Sequence, residues 1–182
     1  MDARLELVLA HFERLGGADG WSCDGGAGVL SDLLLAAGVP NELEVGIYHW
    51  PEEMMTVRRQ MIDDPNEHHH WVEAEGLIID PNGELRGEPH MQPAGSARYE
   101  ASSDWDMLQF SPYFDTDGVE DWELVEVDTL EVLEESAVYD PAVARYLSER
   151  ETLIAALRPS LTDLAGAASQ AEANLPAPSV EL

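Results

Sequence analysis

One histidine and one aspartate stand where a β-hairpin would bring them together. The segment that begins at His68 reads H-H-H-W-V-E-A-E-G-L-I-I-D-P-N-G. Alternating residues before the Glu-Gly pair and an apolar, β-branched run after it predict two short strands joined by a tight turn. Folding the chain back at Ala74-Glu75 places His69 opposite Asp80. A carboxylate beside an imidazole orients that ring for use as a base.

A longer turn in the same hairpin would place a different histidine opposite Asp80. If the loop has three residues, with Gly76 in the left-handed conformation, the register moves by one residue. His70 then faces Asp80 in place of His69. The residues of the hairpin are compatible with both registers.

A nucleophile for such a pair is offered by Cys23, which is the single cysteine of the chain. Apolar residues recur at helical spacing between Val29 and Ala37, and Gly38 and Pro40 mark the end of this helix. Cys23 is therefore predicted at or just before a helix N-terminus, where unpaired N–H groups and the helix dipole favour a thiolate. The alternative is a small buried cysteine, which is the commoner role of a lone thiol.

Together these motifs resemble the transglutaminase-like branch of the papain-like cysteine proteins. Members of that branch have a cysteine that opens a helix, a helix ending near G-[IV]-P, a strand, an H-x-W-x-E motif, and an Asp-Pro at the end of the next strand. Between Trp21 and Asn82 this chain has the corresponding residues in the same order: Cys23, Gly38-Val39-Pro40, Val45-Gly46-Ile47-Tyr48, His69-His70-Trp71-Val72-Glu73 and Asp80-Pro81.

The resemblance implies a role for each matching residue. Cys23 matches the family nucleophile, His69 the general base and Asp80 the residue that orients the base, so the H-x-W spacing favours His69 over His70. It implies an α+β fold of the papain-like or transglutaminase-like kind, in which N-terminal helices that carry the cysteine pack on an antiparallel β-sheet. Related proteins include transglutaminases, peptidases such as the leader peptidases of lasso-peptide assembly, amide hydrolases and, more distantly, arylamine acetyltransferases.

The function we expect is therefore that of a cysteine hydrolase or acyltransferase. It would act without a cofactor on an amide or thioester carbonyl of a peptide, a protein or a small amide, through an acyl-enzyme. A rival of a different class is a catalytically inactive transglutaminase-like domain that serves as a protein-binding module. Trp21, two residues before Cys23, is a candidate oxyanion donor through its indole N–H, with packing as its commoner role. No glutamine precedes Cys23, unlike in papain, so the donor besides the Cys23 backbone N–H stays open.

Other chemistries are disfavoured by the pattern of residues. Neighbouring residues on a strand point to opposite faces, so at most His68 and His70 of the histidine run could share a metal ion. The glycine cluster Gly25-Gly26-Ala27-Gly28 lacks a preceding strand, and the chain has no lysine for a Walker motif. No G-x-S-x-G elbow is present. We expect no metal, no nucleotide and no serine nucleophile.

Charge and composition exclude further classes of partner. The net charge is −28, with 37 Asp and Glu against nine basic residues, all of them arginine. Such a surface repels nucleic acid and anionic membranes, whether it belongs to an ordinary acidic protein or to one from a salt-adapted host. A single cysteine, the lack of a secretory signal and the lack of a long apolar run predict a cytoplasmic protein.

The length of 182 residues predicts one domain. We expect it to span residues 1–165, with a motif core at 21–82 and an additional strand and helix within 104–158. Residues 166–182 have no apolar periodicity and predict a disordered tail.

Further elements follow from apolar periodicity and turn residues. His11 is expected on the surface of the first helix. The expected elements are a helix with apolar residues from Leu5 to Leu15, a strand at Val45–Trp50, a short helix at Pro51–Met61, a strand at Trp122–Val127, and a helix from Asp140-Pro141 to Arg158-Pro159. Three residues in or near an irregular region are candidates for a pocket wall: His90, Tyr99 and Trp105.

Overall fold

The computed structural model describes residues 2–16, 21–49, 66–83, 91–101 and 128–173. The helices are α1 (Ala3–Arg14), α2 (Cys23–Ala36), α3 (Thr129–Ser136) and α4 (Pro141–Ala173). The strands are β1 (Glu42–His49), β2 (Asn66–Ala74), β3 (Leu77–Ile79), β4 (Met91–Pro93) and β5 (Tyr99–Ala101). All strand pairs are antiparallel and form one sheet in the order β4-β3-β2-β1-β5. The expected α+β class with an antiparallel sheet is confirmed.

The β2–β3 hairpin has a register that differs from both predictions. Its turn consists of Glu75 and Gly76, with φ of +54° and +71°. Two successive residues with positive φ define a type I′ turn, whose twist matches that of the strands it joins. Ala74 therefore pairs with Leu77, two residues away from the predicted register, and the three-residue loop is also wrong.

A displacement by two residues keeps every side chain on its own face of the sheet, because the side-chain period of a strand is two. His69 therefore remains on the face of Asp80, one diagonal step away from it. His70 lies on the opposite face, so the alternative in which it faces Asp80 is wrong.

The two faces of the sheet bury different sets of side chains. The helices cover one face, where the main core includes Leu30 and Leu33 of α2 and Val72 and Ala74 of β2. The other face carries a second, smaller cluster that consists of Tyr48, Trp71, Ile78, Tyr99 and Ala101. His69 and Asp80 belong to the second face.

Gly46 makes room for this second cluster. It lies on β1 between β2 and β5, paired with His69 on one side and Ala101 on the other. A Cβ at this position would stand 2.6 Å from Cη2 of Trp71, closer than carbon atoms can approach. The indole of Trp71 can therefore lie over β1 only because residue 46 has no side chain.

Helix α1 matches its prediction, with one exception. Asp2 caps its N-terminus, Leu5 and Phe12 are buried in the core, and the chain leaves the helix at Gly16, whose φ is +132°. His11, expected on the surface, is buried. A guanidinium nitrogen of Arg14 lies within hydrogen-bond distance of Nδ1 of His11. The ring itself lies beside the core, away from water.

Helix α4 extends further than predicted. It begins at Pro141 with Asp140 as the N-cap, as expected, but it continues through Pro159 to Ala173. The predicted stop at Arg158-Pro159 is wrong because the alanine-rich sequence that follows the proline has high helix propensity. The expected tail is thus helical as far as Ala173, and residues 174–182 lie outside the described residues.

Several other elements were not predicted or cannot be compared. The expected helix at 51–61 and the expected strand at 122–127 lie outside the described residues, as do His90 and Trp105. Strands β4 and β5 occupy a region in which the sequence shows no strand pattern, and α3 was not predicted.

Candidate active site

His69 lies in an aromatic enclosure on the second face of the sheet. Its side chain is fully buried. Its ring centroid lies 6.2 Å from that of Tyr48 and 6.3 Å from those of Trp71 and Tyr99. Tyr48 and Tyr99 are directly paired across β1 and β5. Three strands therefore contribute the rings that fix the position of this imidazole.

The imidazole of His69 is hydrogen-bonded through one nitrogen. Nε2 donates to Oδ2 of Asp80 at 2.9 Å, because an ionised carboxylate can only accept. Nδ1 is buried, and within the described ranges it has no hydrogen-bond partner. With the proton assigned to Nε2, the neutral ring has its lone pair on Nδ1. This is the protonation state that a general base requires.

Asp80 accepts hydrogen bonds from three different parts of the chain. Oδ2 accepts from Nε2 of His69 and also from the hydroxyl of Tyr99, at 2.8 Å. Oδ1 accepts from the backbone N–H of Asn82 at 2.8 Å, which forms a turn of the type that aspartate commonly caps. Asp80 is therefore both a turn residue and the partner of the histidine.

The H-x-W-x-E motif has a structural explanation in strand β2. His69, Trp71 and Glu73 alternate along the strand and share one face. The indole Nε1 of Trp71 donates to Oε1 of Glu73 at 3.3 Å. The glutamate thus holds the tryptophan, and the tryptophan packs beside the histidine.

Cys23 is the first residue of α2 and is partly exposed. The first turn of α2 lies against the turn that follows Asp80: a Cβ at Gly26 would stand 3.3 Å from Cβ of Pro81. The side-chain amide of Asn82 also donates to the carbonyl oxygen of Trp21 at 3.4 Å. The helix that carries the thiol and the turn that carries the carboxylate are therefore in direct contact.

The N-terminus of α2 is also tied to α4. Both the backbone N–H and the hydroxyl of Ser22 donate to Oδ2 of Asp140, at 2.8 and 2.9 Å. Asp140 caps α4 at the same time, and Gly25 lets Val143 approach so closely that a Cβ there would meet its Cγ2 at 2.5 Å. The backbone around Cys23 is therefore fixed by a buried carboxylate.

A second carboxylate, that of Asp24, belongs to the first turn of α2, directly after Cys23. Asp24 accepts hydrogen bonds from the hydroxyls of Ser136, at 2.8 Å, and of Tyr139. Burial raises the pKa of Asp24, but hydrogen bonds, that of Ser136 foremost, and the charge of His70 outweigh burial and lower its pKa overall. Two carboxylates thus already occupy the positive end of the α2 dipole. A thiolate at Cys23 therefore gains less from the helix than the sequence suggests, and depends more on an imidazolium.

The sequence allowed either His69 or His70 to face Asp80, and these two histidines lie on opposite faces of the sheet. His69 lies with Asp80 on one face. His70 lies on the face that packs against α2, where its charge acts on Asp24. Of the predicted catalytic residues, the structure brings His69 and Asp80 into hydrogen-bond contact and places Cys23 on the helix that touches the next turn.

Trp21 packs between helices. Its ring stacks on Phe12 and meets Tyr146 edge-on, both at 6.3 Å between centroids. Its Nε1 lies near Gly16 and, in the part of the chain that the structure describes, has no hydrogen-bond partner. The packing role is therefore observed, and the role as an oxyanion donor stays a prediction.

Sequence reasoning missed two partners of the site. Tyr99 was expected only as a candidate for a pocket wall and not as a partner of Asp80, and the contribution of Asp140 to the Cys23 turn was not predicted. Across the described ranges, no three histidine, cysteine or acidic side chains are grouped so that they could hold a metal ion. None of the described helices has the length and apolar character needed to cross a membrane.

Comparisons with known proteins add no assignment. A scan against protein-family models, a search of curated proteins and a search of solved structures each found no match for this chain.

Proposed function

We propose that this protein is a cysteine hydrolase or acyltransferase of the papain-like, transglutaminase-like kind. In this proposal Cys23 is the nucleophile, His69 the general base and Asp80 the residue that orients the base. One observation carries it: Nε2 of His69 is bound to a buried carboxylate, so that the lone pair of the ring is on Nδ1. The motif order of the sequence and the position of Cys23 at the start of a helix support it.

The proposed reaction has two steps. Nδ1 of His69 takes the thiol proton of Cys23, and the sulfur attacks the carbonyl carbon of an amide or thioester. The tetrahedral adduct collapses with cleavage of the C–N or C–S bond, and the leaving group takes the proton from Nδ1. Water or an amine then gives a proton to Nδ1 and attacks the carbonyl carbon of the acyl-enzyme. The C–S bond to Cys23 breaks, and Nδ1 returns the proton to the sulfur. Asp80 holds the tautomer and stabilises the imidazolium in both steps.

The complete burial of His69 favours a second candidate function. A base must reach its nucleophile, and a histidine enclosed by three aromatic rings could instead stabilise the sheet. The protein would then be an inactive transglutaminase-like domain that binds a partner. This candidate predicts that Cys23 reacts as an ordinary thiol.

The rate of Cys23 alkylation distinguishes these functions. Because the chain has one cysteine, all labelling by iodoacetamide reports on Cys23. We expect alkylation at pH 6 to be at least about tenfold faster than that of a free thiol, whose pKa is about 8.5. His69→Ala should remove this acceleration, as measured by mass spectrometry of the intact protein over time.

His49→Ala is the matched control, since Nε2 of His49 is bound to Oε2 of Glu100 at 2.7 Å on the same sheet. It should leave the rate unchanged. His70→Ala tests the other histidine of the motif: if it alone removes the acceleration, the base is His70 and the assignment of His69 is wrong. An unaccelerated wild-type thiol contradicts the catalytic proposal and supports the binding module.

A further inference from the structure

Tyr99 adds a second donor to the carboxylate oxygen that His69 uses. Its hydroxyl donates to Oδ2 of Asp80 at 2.8 Å, and Nε2 of His69 donates to the same atom at 2.9 Å. All three side chains are buried. Tyr99 belongs to β5, at one edge of the sheet, while Asp80 follows β3 near the opposite edge.

The hydrogen bonds that Asp80 accepts from the described residues constrain the rotation of its carboxylate. The N–H of Asn82 holds Oδ1 in the turn, so Oδ2 must point towards β2 and β5. The hydroxyl of Tyr99 donates to Oδ2, and hydrogen bonds to an ionised acceptor are strong and directional. Nε2 of His69 donates to this same oxygen, so the hydroxyl helps to hold it where the ring proton meets it.

We propose that Tyr99 is a positioning residue that acts through Asp80 to keep His69 in the tautomer with its proton on Nε2. Its hydroxyl fixes the carboxylate, the carboxylate fixes the ring proton, and Nδ1 remains the basic nitrogen. The consequence for Cys23 rests on the proposed function, whereas the effect on the tautomer does not.

The chain offers a matched control for the loss of a buried tyrosine hydroxyl. Tyr146 donates to Oδ2 of Asp32 at 2.7 Å, and both residues are buried. Because this second pair lies between helices α2 and α4 and contains no histidine, Tyr146→Phe removes the same kind of hydrogen bond without touching His69, Asp80 or Tyr99.

The other ionisable groups near His69 and near Cys23 are the same in all variants. Tyr48 and Glu73 lie on the face of His69, the latter bound to Trp71, while Asp24, Asp140 and His70 surround the first turn of α2. Comparing Tyr99→Phe with Tyr146→Phe therefore separates the effect of Tyr99 from the background that these groups create.

The test is nitrogen NMR of the histidine rings, with the His69 signal assigned through His69→Ala. In the wild type we expect the tautomer with the proton on Nε2. Tyr99→Phe should lower the ratio of the Nε2–H to the Nδ1–H tautomer by about tenfold, because the carboxylate can then turn away from Nε2 and the charged hydrogen bond that holds the ring proton is weakened. Tyr146→Phe should leave the ratio unchanged even if it lowers the thermal stability.

The second readout is the pH profile of Cys23 alkylation. Tyr99→Phe should displace the profile by about half a pH unit or more, because a carboxylate that is free to rotate interacts less with the imidazolium of His69. An unchanged tautomer ratio in Tyr99→Phe overturns the inference. If the tautomer ratio changes but the pH profile of Cys23 alkylation is the same in Tyr99→Phe, His69→Ala and the wild type, the positioning role is supported and the proposed function is overturned.

A second variant keeps the inference testable if Tyr99→Phe does not fold. Incorporation of 3-fluorotyrosine at residue 99 retains the ring and makes the hydroxyl a stronger donor. The tautomer ratio should then stay as in the wild type or shift further towards Nε2–H. A shift towards Nδ1–H would contradict the inference.

Discussion

Asp80 combines two tasks that usually fall to different residues. Oδ1 closes a turn, and Oδ2 receives both the imidazole proton of His69 and the hydroxyl proton of Tyr99. The turn task can be performed by asparagine, since both side chains cap such turns. The other task requires an acceptor on the histidine side, which only a carboxylate provides while its second oxygen stays in the turn.

Asp80→Asn separates these tasks. If the amide oxygen stays in the turn, the NH₂ group faces Nε2 and drives the imidazole proton to Nδ1, where it removes the base. We expect the thermal unfolding temperature to stay near that of the wild type. The alkylation of Cys23 should slow by orders of magnitude, up to roughly 10⁴ by analogy with serine triads.

The measurement combines thermal unfolding with the time course of Cys23 alkylation. If both are unchanged, Asp80 is only a turn residue and the site has at best a Cys-His dyad. If Asp80→Asn unfolds, the comparison of Asp80→Ala with Asp80→Glu at low temperature shows whether a carboxylate restores the reactivity.

At the scale of elements, α2 and α4 are joined by an ion pair between the buried Asp32 and the partly exposed Arg150. Asp32, in the middle of α2, accepts from Nε and from one terminal nitrogen of Arg150, both at 2.6 Å, and from the hydroxyl of Tyr146. Burial, followed by the hydrogen bond to Asp32, raises the pKa of Tyr146, so the phenol stays protonated and remains a donor. Because Cys23 opens α2, this pair helps to fix the helix on which the nucleophile lies.

Arg150→Ala should therefore destabilise the protein by about 1.5–3 kcal/mol, since Arg150 is partly exposed and its removal leaves the buried Asp32 carboxylate with one charged partner fewer. Urea unfolding measures this free energy. Arg145→Ala is the control: Arg145 pairs with Glu149 on the exposed face of the same helix, and such a pair contributes about 0.5 kcal/mol or less. Equal effects of the two substitutions would contradict the argument.

The elements that sequence could predict are those with local signals. The helix after Cys23 and the strands of the hairpin follow from apolar spacing and from glycine and proline at their ends. The register of the hairpin could not be predicted in the same way, because Glu75 adopts a left-handed φ that is typical of Asn, Asp or Gly. The predicted face of His69 was nevertheless correct, since a register error of two residues leaves each side chain on the same face of the sheet.

The partners of the candidate site depend on contacts that are distant in the sequence. Tyr99 reaches Asp80 because the three-residue strand β5 pairs with β1. The sequence of this short segment has no pattern that predicts a strand. Ser22 and Asp140 meet across 118 positions of the chain. Such contacts follow from the packing of the whole sheet and helix layer, which the spacing of motifs does not determine.

At the scale of the whole molecule, the net charge of −28 acts on every element at once. Like charges repel in the compact state, and salt screens them over about 8 Å at physiological ionic strength and about 3 Å at 1 M. We expect the free energy of unfolding to rise as sodium chloride is increased, and thermal unfolding at several salt concentrations measures it. Sucrose at matched osmolality is the control, and a fall in stability with salt would contradict the expectation.

The short edge strand β5 sets a limit on the durability of the site. Its three residues, Tyr99–Ala101, carry the hydroxyl that steadies Asp80, and among the described strands β5 pairs with β1 alone, as expected of a segment that opens locally. Local opening of β5 would release the carboxylate while the helical core stays folded. Fraying of β5, and not unfolding of the whole protein, would then determine how long the imidazole stays oriented. On warming, the site would lose its geometry before the chain unfolds.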